Sequence, residues 1–287
     1  MDEERIALVD VATGEVLDEV PYGTTVITPE QRKRNAEKKK EREEHELNRN
    51  RGKQERYIFI DMMCQFEGLK PSTATELIYL STFADYDCIL KTQKKNDIKR
   101  TNLWKILGVS ERRALSFWKE VSPAYITENE NGQLVLNKSV FKRGKIDGKE
   151  GKDYQQFYFK GVRRLYNAVS TREHKQLGHL FKLLPFINIE WNVLCDNPFE
   201  TDLDKVELIS MAEFCALTGN GDVSHVSRLK KAYSNVRFDV DGKQQRFCTM
   251  VYDGINERTA KICVNPEVLY VGSNQSRVDV LKLFFKD

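Results

Sequence analysis

At 287 residues, with 40% hydrophobic content, the chain is long enough for two domains of ordinary size, each with a modest core, plus an extension. Lys+Arg 46 against Asp+Glu 43 leaves only +3, so bulk charge excludes a generally polycationic protein and says little about partners. No apolar run approaches the length of a membrane span and the acidic opening is not a secretory signal, so the expected compartment is bacterial cytoplasm, with no membrane partner.

The local charge distribution says more than the total. Residues 1–28 are acidic, whereas residues 91–119 carry Lys91, Lys94, Lys95, Lys99, Arg100, Lys105, Arg112, Arg113 and Lys119 against Asp97 and Glu111. Such asymmetry predicts one surface that meets a polyanion. The six cysteines sit singly among apolar neighbours without CxxC spacing, which predicts buried, reduced thiols and neither a disulfide frame nor a zinc site.

In chain order, residues 5–20 alternate apolar and polar about Thr13-Gly14, a hairpin signal. Residues 29–56 turn to Lys, Arg, Glu, Gln and Asn with almost no large apolar residue; they read as a solvated linker or as a basic arm on phosphates. Tyr57–Phe66 is a strand or a short helix. Ser72 caps a helix to about Asp85, with Leu77, Ile78, Leu80 and Phe83 as its stripe. Cys88–Leu90 is extended. Thr101 caps a helix ended by Gly108, and Ser110 caps the next, stopped by Pro123. Asn131-Gly132 between apolar runs predicts a hairpin.

The series then recurs. A helix covers Arg172–Leu184, Ile187–Cys195 is extended, and Asp196–Glu207 is an acidic loop. Ser210 and Asp222 cap two helices separated by Gly219-Asn220-Gly221, and strands near 246–252 and 260–264 form a larger hairpin. The ending of each series rhymes, residues 136–144 against residues 264–272, in Asn, an apolar run and Gly. A self-similarity this long predicts a duplicated domain. The tail Arg277–Phe285 is amphipathic and fits a docked helix or a homodimer contact equally well.

Two short helices joined by a Gly-containing turn and followed by a hairpin have the form of a helix-turn-helix with a wing. In the first copy, Ala114, Leu115, Trp118 and Val121 are expected inside, leaving Arg112, Arg113, Ser116 and Lys119 outside. In the second, Val223, Val226, Leu229 and Ala232 are expected inside, leaving Ser224, His225, Ser227, Arg228 and Lys231 outside. Arginine can fork onto guanine edges, Ser and His can bond bases or phosphates, and Lys neutralises phosphates. Lys142 and Arg143 in the first copy, and Lys243 and Arg246 on the second wing, are the backbone-contact candidates. Charge reversal of Arg112 and Arg113 is expected to abolish binding and leave folding intact.

These repeats resemble the winged-helix (RepL-like) replication initiator or regulator proteins of Firmicutes plasmids and phages. The likeness rests on the helical opening, the capped helix pair and the Asn-Pro-apolar-Gly ending. Residues 264–272 match that ending, whereas residues 136–144 lack the Pro. The resemblance implies sequence-specific binding of double-stranded DNA, in replication initiation or transcription regulation.

Catalytic signatures are missing. There is no GxxxxGK[ST], the spacing of His174 and His179 matches no metalloprotease or nicking motif, and Glu200, Asp202, Asp204 and Glu207 read as a solvated loop or a basic-partner surface. The expectation is a non-enzymatic protein without cofactor or metal. Its fold class is α+β, with an N-terminal hairpin (1–28), a charged linker (29–56), tandem winged helix-turn-helix domains (57–150 and 151–274) and a tail (275–287). A module that captures a host or phage protein on the same scaffold is the competing reading.

Overall fold

Strand β3 (Tyr57–Asp61) can take the middle place of a three-stranded sheet because Ile58 and Ile60 bury completely on one side and Phe59 nearly so on the other. In the computed structural model, residues 5–10, 13–21, 29–39, 42, 56–61, 63–64, 66, 68–144, 154–218, 224–251, 261–270 and 280–285 are described. They show a mixed α+β protein with several small sheets. The chain divides into two units, Met1–Glu46 and Leu47–Asp287.

In the first unit, β1 (Arg5–Val9) and β2 (Val16–Pro21) pair antiparallel around Asp10 and Gly14, and the left-handed φ of +73° at Gly14 lets the turn close. Ile6, Val9 and Val16 remain exposed on this hairpin. Residues 29–39 form a helix, α1, whose side chains are all exposed, as a segment without an apolar face must be.

The second unit contains two similar series. The first runs α2 (Pro71–Ser81), α3 (Leu103–Leu107), α4 (Glu111–Val121), then the hairpin β4 (Ile126–Glu128) and β5 (Leu134–Leu136), then β6 (Phe141–Lys142). The second starts with β7 (Tyr154–Tyr158) and α5 (Phe159–Ala168) and continues through α6 (His174–Phe181), α7 (Met211–Leu217) and α8 (Ser224–Asn235). A hairpin of β8 (Arg237–Val240) and β9 (Lys243–Arg246) follows, then a second of β10 (Cys248–Val251) and β11 (Lys261–Val264).

The rhyming endings are structural equivalents. Asn137 donates from its amide to Ala124 O at 2.8 Å and from its backbone to Tyr125 O at 2.9 Å; Asn265 does the same to Arg246 O at 2.8 Å and Phe247 O at 2.9 Å. Each Asn Oδ1 then accepts the backbone N–H two residues on, from Ser139 or Glu267. The apolar run that follows pairs with a strand of its own series, Phe141 with Ile60 and Leu269 with Phe157. Because β3 and β7 pair antiparallel from Tyr57↔Tyr158 to Asp61↔Tyr154, the two series share one sheet in the order β6-β3-β7.

Helices α2 and α6 cross in close contact and join the series. Thr75 Oγ1 donates to His174 O at 2.8 Å, and Lys182 Nζ donates to Leu69 O at 3.0 Å. Every residue of α2 from Thr73 to Ser81 is buried, so the single apolar stripe read from sequence understates it. With α3, α4, α5 and α6 around it, α2 has no solvent face, and its threonines and Glu76 must find partners inside.

Several expected elements shift. Helix α2 starts at Pro71, so Ser72 is inside it, and Thr101 sits within a 3-10 turn (Arg100–Asn102) in which Asn102 Oδ1 accepts from Lys99 N at 2.9 Å. Ser110 and Ser210 cap as expected, the latter with Glu213 in a reciprocal box. Residues 187–195 close on themselves through an Ile187↔Leu194 bridge and are not a single extended run. Asp222 lies outside the described residues. In the tail, Leu281 and Phe285 bury against Tyr158, Cys263 and Tyr270, and Lys282 pairs with Glu267 at 2.6 Å, so this segment docks on its own unit. Five of the cysteines are buried and Cys64 is half-buried, all six as free thiols. No described helix is long and apolar enough to cross a membrane.

Candidate nucleic-acid interface

Helix α4 follows α3 through Gly108, whose φ of +64° ends the first helix in the left-handed conformation, and Ser110, whose hydroxyl accepts from Arg113 N at 3.2 Å. Ala114, Phe117 and Val121 recur at three- and four-residue spacing and form its buried face. That phase differs from the expected one. Leu115, predicted inside, is 53% exposed, and Phe117 takes the core position.

The change of phase sorts the four α4 candidates into two pairs. Arg112 and Lys119 are exposed and share a stripe with Leu115. Arg113 and Ser116 instead fall on the flank that faces α2. Arg113 grips the Glu76 carboxylate with Nε–Oε1 at 3.0 Å and Nη2–Oε2 at 2.8 Å, and Nη2 also donates to Ser72 Oγ at 3.1 Å and Thr73 Oγ1 at 2.9 Å. Ser116 Oγ donates to Glu120 Oε1 at 3.3 Å, and Glu120 also takes Lys70 at 2.8 Å. Arg113 and Ser116 are therefore corrected from outward-facing contacts to parts of a clamp between α4 and α2. The physical reason is Glu76: a fully buried carboxylate needs a cation, and Arg113 is the one within reach. Burial pushes the Glu76 carboxyl up to about 7 even though the guanidinium pulls it down.

The basic segment before α4 adds residues that a one-helix reading misses. Lys99, Arg100 and Lys105 are exposed, and the Arg100 guanidinium sits 5.9 Å from the Trp118 ring, which brings it beside α4. The signal was in the sequence as the charge count over residues 91–119, but nothing in the spacing tied Arg100 to Trp118.

In the second series α8 buries Val226, Leu229 and Tyr233 and exposes Ser227, Arg228 and Lys231. Ser224 and His225 open this helix, with side chains outside the described residues, as is Val223. Ala232 is half-buried, and Tyr233 takes the core place beside Phe214.

The remaining candidates fall elsewhere. Lys142 is half-buried with its ammonium 4.7 Å from the Tyr154 ring. Arg143 turns inward, bonded to the Ala84 carbonyl and 4.7 Å from the Tyr86 ring, a correction of its reading as a solvent-facing phosphate contact. Lys243 and Arg246 belong to the β8–β9 hairpin, a separate ribbon that precedes the β10–β11 hairpin taken as the wing. Asp241 and Gly242 close its turn at φ +53° and +82°, and Asp241 takes Arg164 of α5 at 2.8 Å. Lys243 is exposed and Arg246 half-buried.

In the acidic loop, Glu200 Oε1 accepts from the backbone of Thr201 and Asp202, and Asp202 pairs with Lys205 at 3.1 Å. Among the described residues no group of three or more His, Cys, Asp or Glu side chains is placed to hold a metal ion. No protein-family model, curated protein or solved structure matches this chain.

Proposed function

We propose that the Leu47–Asp287 unit binds double-stranded DNA without catalysis, through two winged helix-turn-helix domains, as a replication initiator or transcription regulator of a phage or plasmid. The observation that carries this reading is the Arg112–Lys119 stripe of α4, exposed directly after a Ser-capped turn and flanked by Lys99, Arg100 and Lys105. Its second support is α8, the last helix of the second series, which likewise exposes basic side chains, Arg228 and Lys231. Two readers tied by the α2–α6 crossing gain from effective concentration, so each can be weak alone.

The test is selection of bound fragments from random duplex DNA, then gel-shift titration of the enriched site across salt. Arg112→Glu with Lys119→Glu is expected to lower affinity about a hundredfold and flatten the salt slope by about two, since each lost phosphate contact removes roughly one unit. Unchanged affinity in that double variant rejects α4 as a reader. Arg113 is left untouched because its loss acts on the fold.

One observation favours a second reading, a module that captures a protein. The acidic 196–207 loop leaves Phe199 at 48% and Leu203 at 49% exposed, an apolar-acidic surface suited to a basic, partly apolar partner and repelled by DNA. No enrichment of any duplex, together with binding lost in Phe199→Ala, would favour that reading.

A further inference from the structure

At the C-terminal end of α2 a cavity of about 760 Å³ opens against α5 and the start of β3. Its charged lining is Arg56, Lys91, Lys95, Arg143 and Arg163, with Asp85 the one carboxylate among the described lining residues, and Asp85 is already paired with Lys91 at 2.7 Å. Bringing like charges together in a half-buried site costs free energy unless an anion is meant to enter.

Part of the arrangement has a structural use. Arg163 donates to Thr82 Oγ1 at 2.8 Å and Thr82 O at 2.7 Å, and Arg143 donates to Ala84 O, so both satisfy carbonyls just beyond α2. These bonds occupy only some of the five donors on each guanidinium. Among the described residues neither arginine forms an ion pair with a carboxylate, unlike Arg113 on Glu76. Burial, with repulsion from Arg56 added and the Asp85 charge opposing it at Arg143, holds the pKa of both Arg143 and Arg163 below the usual arginine value, as expected where three guanidiniums converge.

The cavity is also aromatic. The Arg163 guanidinium lies 4.2 Å from the Phe83 ring and the Arg143 guanidinium 5.0 Å from Phe159. Tyr86 stands at the rim, 73% exposed, with one face taken by Arg143. A large exposed tyrosine beside a cationic pocket offers a stacking surface to a planar ring.

We infer that this cavity is a nucleotide site, in which phosphate oxygens meet Arg56, Arg143 and Arg163 and the base stacks at Tyr86. The ligand is a phosphorylated nucleoside, either free in solution or at the end of a nucleic-acid strand. This site is separate from α4 and does not depend on the DNA-reading proposal.

Titration calorimetry of the full chain with ADP, with pyrophosphate and with a 5′-phosphorylated single-stranded oligonucleotide tests it. ADP is expected to bind saturably and pyrophosphate to compete with it. Arg56→Glu, at the exposed mouth, weakens ADP and pyrophosphate by about tenfold or more, whereas Tyr86→Ala weakens ADP and spares pyrophosphate. Both positions are solvent-facing, so thermal unfolding should match wild type. Arg112→Glu, on α4, leaves ADP binding unchanged. Tighter binding of the oligonucleotide than of ADP identifies a strand end as the source, and the reverse order a free nucleotide. Absence of saturable binding by all three probes overturns the inference, as does ADP binding indifferent to both variants.

Discussion

Arg113→Ala is expected to destabilise the Leu47–Asp287 unit by about 3–5 kcal/mol, because it strands a carboxylate that is fully buried. The loss is larger than that of a surface ion pair, since Glu76 is 0% and Arg113 only 22% exposed and the geometry is bidentate. Its pH dependence follows from the direction of the Glu76 shift. The folded carboxyl lies at about 7, above its unfolded value of 4.5, so protonation stabilises the fold fully below the unfolded value and that contribution disappears as pH rises through 7. Without Arg113 the carboxyl moves higher still, so the variant's deficit is greatest at pH 8 and shrinks toward pH 5. Urea unfolding at both pH values measures this. Glu76→Gln combined with Arg113→Ala should recover part of the loss, because no charge is left unpaired. An Arg113→Ala protein as stable as wild type at pH 8 would show that the clamp does not hold α4 to α2. Because Arg113 holds the buried Glu76, reversing Arg112 and Arg113 together is expected to destabilise the fold as well, against the sequence-based expectation that folding stays intact.

Gly178→Ala should also destabilise, against helix propensity, which alone would favour alanine by about 1 kcal/mol. A Cβ at Gly178 would fall 1.7 Å from Pro71 O, 2.2 Å from its carbonyl carbon and 2.7 Å from its Cα. These are backbone atoms at the start of α2, so no side chain can swing aside and the α2–α6 crossing must open. Overpacking of this kind costs about 3 kcal/mol or more. Lys175→Ala, at an exposed position of the same helix, is the control and should be near neutral. Differential scanning calorimetry separates the two, and equal midpoints would mean the crossing tolerates an extra methyl. Because α4 packs on α2 and α8 on α6, opening the crossing also alters the spacing of the two basic helices.

Local chemistry made much of the second unit legible. The Ser110 and Ser210 caps, the Gly108 stop, the apolar face of α6 and the doubled ending at Asn137 and Asn265 all depend on a few neighbouring residues, so spacing alone reveals them. The residues opening α8 and the tip of the β10–β11 hairpin lie partly outside the described residues, where those expectations have no structural counterpart.

What the amino-acid order determined by itself is the α+β class, the repeat, and the concentration of positive charge before and along α4, because each follows from short-range periodicity and composition. Only the tertiary structure decided which basic side chains face solvent. A stripe on a short helix can be drawn in more than one phase, and the choice came from what α2 presents: Glu76, buried by four surrounding helices, pulled Arg113 inward and rotated Leu115 out. Convergence of Arg56, Arg143 and Arg163 was likewise invisible in sequence, since more than a hundred positions separate the first from the last and pairing of β3 with β7 brings them together.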